Sequence, residues 1–334
     1  MRVFYLFIVL VFSLSSCDKK KSISPVDHFI SEGILIANEG NFQWANASVS
    51  FYDTQKDTLI ESVFQEVNNR LLGDVLQSIT ISDDYIYLVL NNSSRIEVVT
   101  KNTFELVASI TGFTSPRYIQ TVNNNKAYVS DLYANKIAIV DLLNFEITGY
   151  INCSGWTEEM VQLNDEVYIL NKTDNTLRII NTNTDVITSV IVLDFEVSAF
   201  EIDNQNRVWL TGINNDIGIV RCINLVDQEI QYTYNFEGES PRELVVSENG
   251  SNIYFLSNGA WHINEFTDEL IVAPIIPAND RLFYGLSVNN DKIYIADAIN
   301  YVQKGTVWVY DLNATLLQEL KVGIIPSEFD FINL

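Results

Sequence analysis

An aromatic residue recurs in this chain about once every forty residues, each time within the same short phrase. A turn rich in Asn, Asp or Gly comes first, and an apolar residue, the aromatic residue and further apolar residues follow. The recurring aromatic residues, separated by 41, 40, 41, 45 and 40 residues, are Tyr87, Tyr128, Tyr168, Trp209, Tyr254 and Tyr294. A period of this length is typical of the blades of a β-propeller.

Within each period, apolar and polar residues alternate in short runs that are separated by polar turns. In one period these runs are 79–81, 86–90, 96–99 and 104–107. Alternation at every second position, with many β-branched and aromatic residues, favours four antiparallel strands over helices. We therefore predict an all-β fold, a seven-bladed β-propeller.

The sequence contains seven predicted innermost strands, one for each blade, and the last of them ends the chain. They are predicted at 77–81, 117–121, 158–163, 199–203, 242–246, 284–288 and 328–332. The first repeat begins with its second strand at 33–36, so the C-terminal strand has to supply its inner strand. A ring that closes by pairing the two chain ends has no exposed edge strand. We therefore predict one propeller domain over residues 31–334.

The N-terminus has the pattern of a secretory signal peptide, predicted at residues 1–16. Its apolar run, 3–14, is too short to span a bilayer, which takes about 20 residues. The run ends in Leu14-Ser15-Ser16-Cys17, which resembles the bacterial lipobox and implies that Cys17 is lipidated. An ordinary signal peptide that leaves a free cysteine is the alternative. Residues 17–30 are polar and aperiodic, as expected of a lipidated tether.

Charge and composition argue against several classes of function. The chain has 43 acidic and 20 basic residues and a net charge of −23, which disfavours nucleic acid as a partner. Two histidines, two methionines and three cysteines leave little for a metal, a haem or a Cys-His nucleophile. We predict neither metal nor cofactor, and we expect Cys153 and Cys222 to be buried thiols that form no disulfide.

Arrangements of side chains that could catalyse a reaction are also scarce in the sequence. We therefore predict a protein that is not an enzyme. Glu158 and Glu159 are neighbours on a predicted strand, so they are expected to point to opposite sides and not to flank one bond. An enzyme of the streptogramin-lyase type, which shares the propeller form, would need a histidine on the ligand-binding face. His262 is the only candidate, and a position in the core or at the rim is the simpler expectation.

Antiparallel strands bring two kinds of connection to one end of the ring. The loops between second and third strands and the outer-to-inner connections form what we call the loop face, and the remaining turns form the turn face. The loop face is rich in aromatic and amide residues, whereas the turn face has short solvated turns such as 82–84. Three arginines, Arg117, Arg242 and Arg281, are expected near the mouth of the central channel.

Structural roles are the alternative for each of these residues. The arginines could brace loops by pairing with Asp131 or Glu39. Aromatic side chains such as Trp156 and Tyr133 could cap the core between blades. Asparagines at strand ends could serve the turn geometry alone.

Several phrases of the chain resemble a known family. They are Asn38-Glu39-Gly40-Asn41, 48–52, 72–74, 91–93, 115–119, 128–133 and 155–158. They resemble the YncE-like seven-bladed propeller lipoproteins of Bacteroidota, and within that family the cobalamin-binding BtuG lipoproteins. The resemblance is strongest over residues 33–163. It implies an outer-membrane lipoprotein, exposed at the cell surface, that captures vitamin B12 and related corrinoids and passes them to a TonB-dependent transporter.

A corrinoid is a broad, flat macrocycle that carries amide side chains and a phosphate-linked nucleotide. Aromatic rings, amides and guanidinium groups match these three parts. The predicted ligand-binding residues of the loop face are Asn38, Glu39, Asn41, Trp44, Asn92, Arg117, Asp131, Tyr133, Asn135, Trp156, Arg242 and Tyr301. We expect a monomer that touches the membrane only through its lipid anchor. The alternative is a propeller that binds another ligand, a glycan or a partner protein, at the same place.

Overall fold

The computed structural model describes residues 32–264 and 272–332. These residues form seven four-stranded antiparallel sheets, which are the blades of a β-propeller. The predicted fold is thereby confirmed. The signal peptide, Cys17 and the whole tether lie outside the described residues, so these three remain predictions.

The blades follow one another along the chain, and each begins with its innermost strand except the first. Blade 1 contains β1 (Gly33–Asn38), β2 (Ser48–Asp53), β3 (Thr58–Ile60) and, as its innermost strand, β28 (Pro326–Ile332). Blade 2 contains β4 (Leu76–Ile81), β5 (Tyr85–Leu90), β6 (Arg95–Thr100) and β7 (Leu106–Thr111). Blade 3 contains β8 (Pro116–Asn123), β9 (Lys126–Asp131), β10 (Lys136–Asp141) and β11 (Glu146–Asn152). Blade 4 contains β12 (Thr157–Leu163), β13 (Glu166–Asn171), β14 (Thr176–Asn181) and β15 (Val186–Val192).

The last three blades repeat this arrangement. Blade 5 contains β16 (Glu196–Ile202), β17 (Arg207–Asn214), β18 (Ile217–Asn224) and β19 (Ile230–Glu237). Blade 6 contains β20 (Arg242–Val246), β21 (Asn252–Leu256), β22 (Gly259–Asn264) and β23 (Ile276–Pro277). Blade 7 contains β24 (Phe283–Asn289), β25 (Lys292–Asp297), β26 (Lys304–Asp311) and β27 (Leu316–Ile324). The seven predicted inner strands coincide with β4, β8, β12, β16, β20, β24 and β28.

The ring closes through the two ends of the described chain. Strand β28 pairs antiparallel with β1, in a register that places Ile332 opposite Gly33 and Pro326 opposite Asn38. Phe329 and Ile332 of β28 are buried. The C-terminal strand therefore completes blade 1, as the repeat count predicts.

The recurring aromatic residue packs between neighbouring blades. Tyr87, on the second strand of blade 2, is fully buried and belongs to one cluster with Ile119 and Val129 of blade 3. The same position in blade 5 holds Trp209, which packs with Leu244 and Phe255 of blade 6. An aromatic residue buries a large apolar area, so the six recurring aromatic residues, on the second strands of blades 2 to 7, stabilise the packing of those blades against their neighbours. This explains the forty-residue period of the sequence.

The described residues contain one short helix, α1 (Val63–Asn68), between β3 and β4. Val63 and Phe64 on this helix are buried against blades 1 and 2. In this part of the chain, no helix has both the length and the apolar character needed to cross a membrane. Cys153 and Cys222 are buried and are not joined by a disulfide, as predicted.

Candidate functional site

Each inner strand contains a register shift against its neighbour, near the end that meets the loop face. The shift inserts residues into the inner strand that have no partner on the second strand. Bulges of this kind turn a side chain in a new direction. We call the inserted residues the bulge ring, which consists of Gln77, Arg117, Tyr118, Glu158, Glu159, Ser198, Glu243, Tyr284 and Ser327.

All residues of the bulge ring line one central cavity. Its volume is about 680 Å³, and residues from all seven blades contribute to its wall. The bulge ring lies at the beginning of the inner strands, and these strands follow the connections of the loop face. The cavity therefore lies directly beneath the loop face.

Glu158 and Glu159 both line this cavity, which corrects the expectation that they point to opposite sides. The register of β12 shifts between Thr157 and Met160, so the regular alternation of the strand is interrupted at these two residues. The alternation rule holds only where strand pairing is regular, and a bulge removes it.

Carboxylates dominate the wall of the cavity. Its cationic side chains are Arg117, Lys172 and Arg242. Its carboxylates are Glu39, Glu158, Glu159, Glu196, Glu201, Glu243 and Glu328. Regular alternation along the inner strands does not predict this acidic lining, because only the bulges bring several of these residues to the axis.

Enclosure by the protein changes the protonation of these carboxyls. Burial raises the pKa of Glu39 to about 7, although a hydrogen bond from Tyr284 and the charge of Arg117 oppose the increase. Burial and the negative charge of Glu159 raise the pKa of Glu201 and of Glu243 to about 7. A cluster of shifted carboxyls in a cavity marks a candidate functional site.

Arg117 is held by acidic and amide groups of the same cavity. Its Nε lies 2.9 Å from Glu158 Oε2, its second terminal nitrogen lies 2.9 Å from Glu158 Oε1, and it also donates to Gln77. Arg117 therefore braces the bulge ring, through Glu158 and not through Asp131 or Glu39. Its charge is largely compensated within the protein.

The other two arginines differ from Arg117 and from each other. Arg242 lines the cavity and donates to the backbone oxygens of Ser257 (3.2 Å) and Phe283 (2.9 Å), which are uncharged acceptors. Arg281 is not part of the cavity wall, which corrects its predicted position near the channel mouth. It donates to the Tyr310 hydroxyl at 2.6 Å and stacks over Phe283, so aromatic contacts hold it in blade 7.

Four aromatic side chains of the loop face are exposed, as a ligand-binding role requires. Their exposed fractions are 75% for Trp44, 68% for Tyr133, 44% for Tyr301 and 41% for Trp156. This exposure disfavours the alternative that Trp156 and Tyr133 cap the core between blades. We call these four residues the aromatic rim.

Two residues of the aromatic rim are connected to the bulge ring below them. The indole N–H of Trp156 donates to Glu158. The ring of Tyr301 packs edge-on against the ring of Tyr284, with centroids 5.6 Å apart. The amide of Asn41 donates to the backbone oxygen of Tyr301 and fixes its loop. The rim and the cavity thus form one connected site.

Two predicted site residues are buried, and their predicted exposure to ligand is wrong. Asn38 is fully buried and donates to Ser50 Oγ at 3.0 Å within blade 1. Asp131 is also buried, and it accepts hydrogen bonds from backbone N–H groups of two loops, including those of Ser115 (3.0 Å) and Tyr133 (3.0 Å). Both residues therefore stabilise the loop face from inside the protein. Asn38 does so at the end of a strand, and Asp131 does so by joining two loops.

The remaining predicted polar residues lie at the surface or at the cavity. Glu39 lines the cavity. Asn92 is exposed and donates to Asp74 at 2.7 Å. Asn135 has a left-handed backbone with φ 54° and accepts a hydrogen bond from the Gly155 N–H at 2.9 Å. Asn92 and Asn135 therefore support loops while they remain partly available to a ligand.

His262 lies on β22 and does not line the cavity. Its Nε2 is 2.9 Å from Asn252 Oδ1, and its ring stacks on Tyr254 with centroids 4.4 Å apart. Burial lowers the pKa of His262. His262 therefore lies away from the cavity, within blade 6, in agreement with the simpler expectation from the sequence. Among the described residues, no group of three or more His, Cys, Asp or Glu side chains is arranged to hold a metal ion.

Solved structures share this fold at low sequence identity. A quinoprotein alcohol dehydrogenase-like protein from Bacteroides thetaiotaomicron is 17% identical with a TM-score of 0.73, over 91% of this chain and 79% of that one. A protein from Bacteroides uniformis described as a 6-phosphogluconolactonase is 12% identical with a TM-score of 0.67, over 90% of this chain and 100% of that one. A functionally unknown protein from Desulfotomaculum acetoxidans is 12% identical with a TM-score of 0.65, over 91% of this chain and 99% of that one.

These likenesses show the fold alone, and the descriptions of the three proteins are mixed. They include enzyme-like propellers and a protein of unknown function, so no catalytic activity of this chain follows from them. No curated protein matches the sequence. A family model described as a domain of unknown function, DUF5074, matches residues 32–306.

Proposed function

The chain belongs to the DUF5074 family of domains of unknown function, and we propose that it is a lipid-anchored binding protein that captures a corrinoid on its loop face. The observation that carries this proposal is the aromatic rim around the central cavity. Four exposed aromatic side chains on one face are costly to leave in water unless a ligand covers them.

The chemistry of the rim fits a broad macrocycle with amide arms. Trp44, Tyr133, Trp156 and Tyr301 offer flat apolar surfaces, on which a large ring system can stack. Asn92 and Asn135 are exposed beside them and can both donate to and accept from amides. The hydrogen bond from Trp156 to Glu158 holds one of these surfaces in place before the ligand arrives.

Different charged groups of the site attract the two ends of a corrinoid. The cobalt–corrin core is cationic and is attracted by the carboxylates beneath the rim. The nucleotide tail carries a phosphate, and Arg117 is already paired with Glu158, so Arg242 is the cation left to meet it. Cobinamide lacks this tail, so it is expected to keep the attraction to the carboxylates and to lose the contact with Arg242.

The N-terminal sequence supports a location of this binding domain at the outer membrane. A lipidated Cys17 would tether the propeller through residues 17–30, with the domain free to present its loop face to a TonB-dependent transporter. A net charge of −23 keeps the domain away from anionic lipid surfaces, so the anchor is its proposed contact with the membrane.

A second candidate, a partner protein as the ligand, is favoured by an apolar extension of the rim. Phe42 and Val302 are 63% and 68% exposed, and their loops are joined by the hydrogen bond from Asn41 to Tyr301. Contiguous apolar surface of this kind marks protein interfaces as well as ligand sites.

Titration of the soluble chain from residue 31 with cyanocobalamin, cobinamide and a panel of glycans separates these functions. We expect saturable binding of both corrinoids and none of the glycans. If the protein binds a glycan and neither corrinoid, the proposed ligand is wrong.

A further inference from the structure

The central cavity contains buried oxygen acceptors that have no donor. Oε2 of Glu159 is buried without a hydrogen-bond partner, and its Oε1 lies 3.5 Å from the Tyr118 hydroxyl. Ser327 Oγ, in blade 1, is also buried without a partner, and both residues line the cavity. An unsatisfied buried carboxylate oxygen is unfavourable, so a donor that enters the cavity would stabilise it.

The cavity already accommodates one ammonium group of the protein itself. Lys172 lines the wall, and its charge lowers the pKa of Glu159 and of Glu243 against the effect of burial, which raises both. Its ammonium also lies 5.8 Å from the centre of the Trp156 ring. An ammonium is thus a chemically suitable occupant of this environment.

The positive charge of Lys172 alone does not neutralise the remaining carboxylates of the cavity wall. Arg117 is paired with Glu158, and Arg242 donates to backbone oxygens. Glu196, Glu201 and Glu328 line the same wall, and none of them forms an ion pair within the described residues. Above about pH 7, where Glu201 and Glu243 ionise, the cavity therefore has a surplus of negative charge that a cationic ligand would neutralise.

The distribution of these carboxylates favours an extended organic cation over a metal ion. Glu159, Glu201, Glu243 and Glu328 belong to four different blades around a volume of about 680 Å³. A calcium ion takes six to eight oxygen ligands within about 2.6 Å, which requires a compact cluster. The described residues contain no such cluster, whereas separated ammonium groups on a flexible chain can reach separated carboxylates.

We propose that the central cavity is a binding site for an organic polycation with primary ammonium groups, of the polyamine class. This site lies beneath the aromatic rim and shares with the proposed corrinoid site only Arg242 and the negative charge of the cavity wall. It is formed by the inner strands of a closed ring, so the chain from residue 31 contains all of it.

Calorimetric titration with spermidine tests this site, at constant ionic strength and about pH 8, which lies above the pKa of about 7 of Glu39, Glu201 and Glu243. We expect saturable binding by the parent chain and none of 1,8-octanediol, an uncharged molecule of similar length. The double variant Glu201→Gln with Glu243→Gln should bind spermidine about tenfold more weakly or worse, because it loses two charged contacts. The matched control is Asp83→Asn on the turn face, which should bind as the parent does.

A second pair of variants keeps every carboxylate. Ser198 lies in the bulge ring, so Ser198→Lys adds a tethered ammonium to the cavity and should weaken spermidine binding. Ser198→Gln adds a side chain without the charge and should leave most of the affinity. Thermal melting of each variant verifies that the ring is folded.

Three results would overturn the proposal. They are no spermidine binding by the folded parent, equal affinity for spermidine and the diol, and displacement of spermidine by magnesium at equal total charge. Corrinoid titration has its own readout, so failure at the rim and failure in the cavity are distinguishable.

Discussion

The indole N–H of Trp156 donates a hydrogen bond to the carboxylate of Glu158, which is also the ion-pair partner of Arg117. Trp156 is partly exposed on the loop face, whereas Glu158 is fully buried in the cavity wall. A rim aromatic is thus fixed through a buried carboxylate to the bulge ring. This hydrogen bond connects the aromatic rim to the bulge ring at Trp156.

Neutralising Glu158 should destabilise the protein. Glu158→Gln leaves Arg117, whose side chain is 19% exposed, without its counter-charge, and breaking a largely buried pair costs about 3 kcal/mol. Urea unfolding measures this loss. The matched control is Glu61→Gln, which breaks an exposed pair with Lys304 and should cost less than about 1 kcal/mol. Equal losses in the two variants would contradict the role of Glu158.

Removing the closing strand should unfold the ring. Deletion of residues 326–334 exposes the edge of β1 and removes buried side chains such as Phe329 and Ile332, each contributing about 1.5 to 3 kcal/mol. Circular dichroism melting measures the effect, and deletion of residues 333–334 alone is the control. A shortened chain that melts at the parent temperature would refute closure by β28.

The repeat made the fold predictable, because burial between blades requires Tyr87 and its equivalents at a constant interval. The bulges were not predicted, although the run Glu158-Glu159-Met160-Val161 breaks the alternation of a regular strand, because two adjacent polar residues do not by themselves distinguish a bulge from the end of a strand. The inward turn of Glu243 and Tyr284 depends on the same local irregularity. Composition could identify the loop face, but it could not tell an exposed Asn92 from a buried Asn38.

Stability should decrease as the pH rises through the range in which the cavity carboxyls ionise. Burial raises the pKa of Glu39, Glu201 and Glu243 from 4.5 to about 7. Between these values the folded state binds more protons than the unfolded state, so the free energy of unfolding falls as pH increases. The melting temperature should therefore be higher at about pH 5.5 than at about pH 8.

The double variant Glu201→Gln with Glu243→Gln should reduce this dependence on pH but not abolish it. Two carboxyls with a raised pKa are gone, whereas the pKa of Glu39, Glu159, Glu328 and Asp330 is also raised by burial. Asp83→Asn, an exposed position on the turn face, should keep the dependence of the parent. A melting temperature that increases from pH 5.5 to pH 8 in the parent would contradict the assignment of the cavity carboxyls.

Lipidation can be tested by the location of the protein in the cell. Cys17→Ala removes the acylation site, and each buried CH₂ of an acyl chain contributes about 0.8 kcal/mol to membrane binding. We expect the variant to move from the membrane fraction to a soluble fraction. Unchanged membrane association would exclude Cys17 as the anchor. Protease added to intact cells tests surface exposure separately.

Calorimetric titration of rim variants with cobinamide tests the central claim, that the aromatic rim on the loop face binds a corrinoid. Trp156→Ala and Tyr133→Ala should each lose about 2 kcal/mol of binding free energy, which is more than tenfold in affinity, while Asp83→Ala on the turn face should lose none. A parent chain that binds no corrinoid, or equal losses in the Asp83 and Trp156 variants, would contradict the claim.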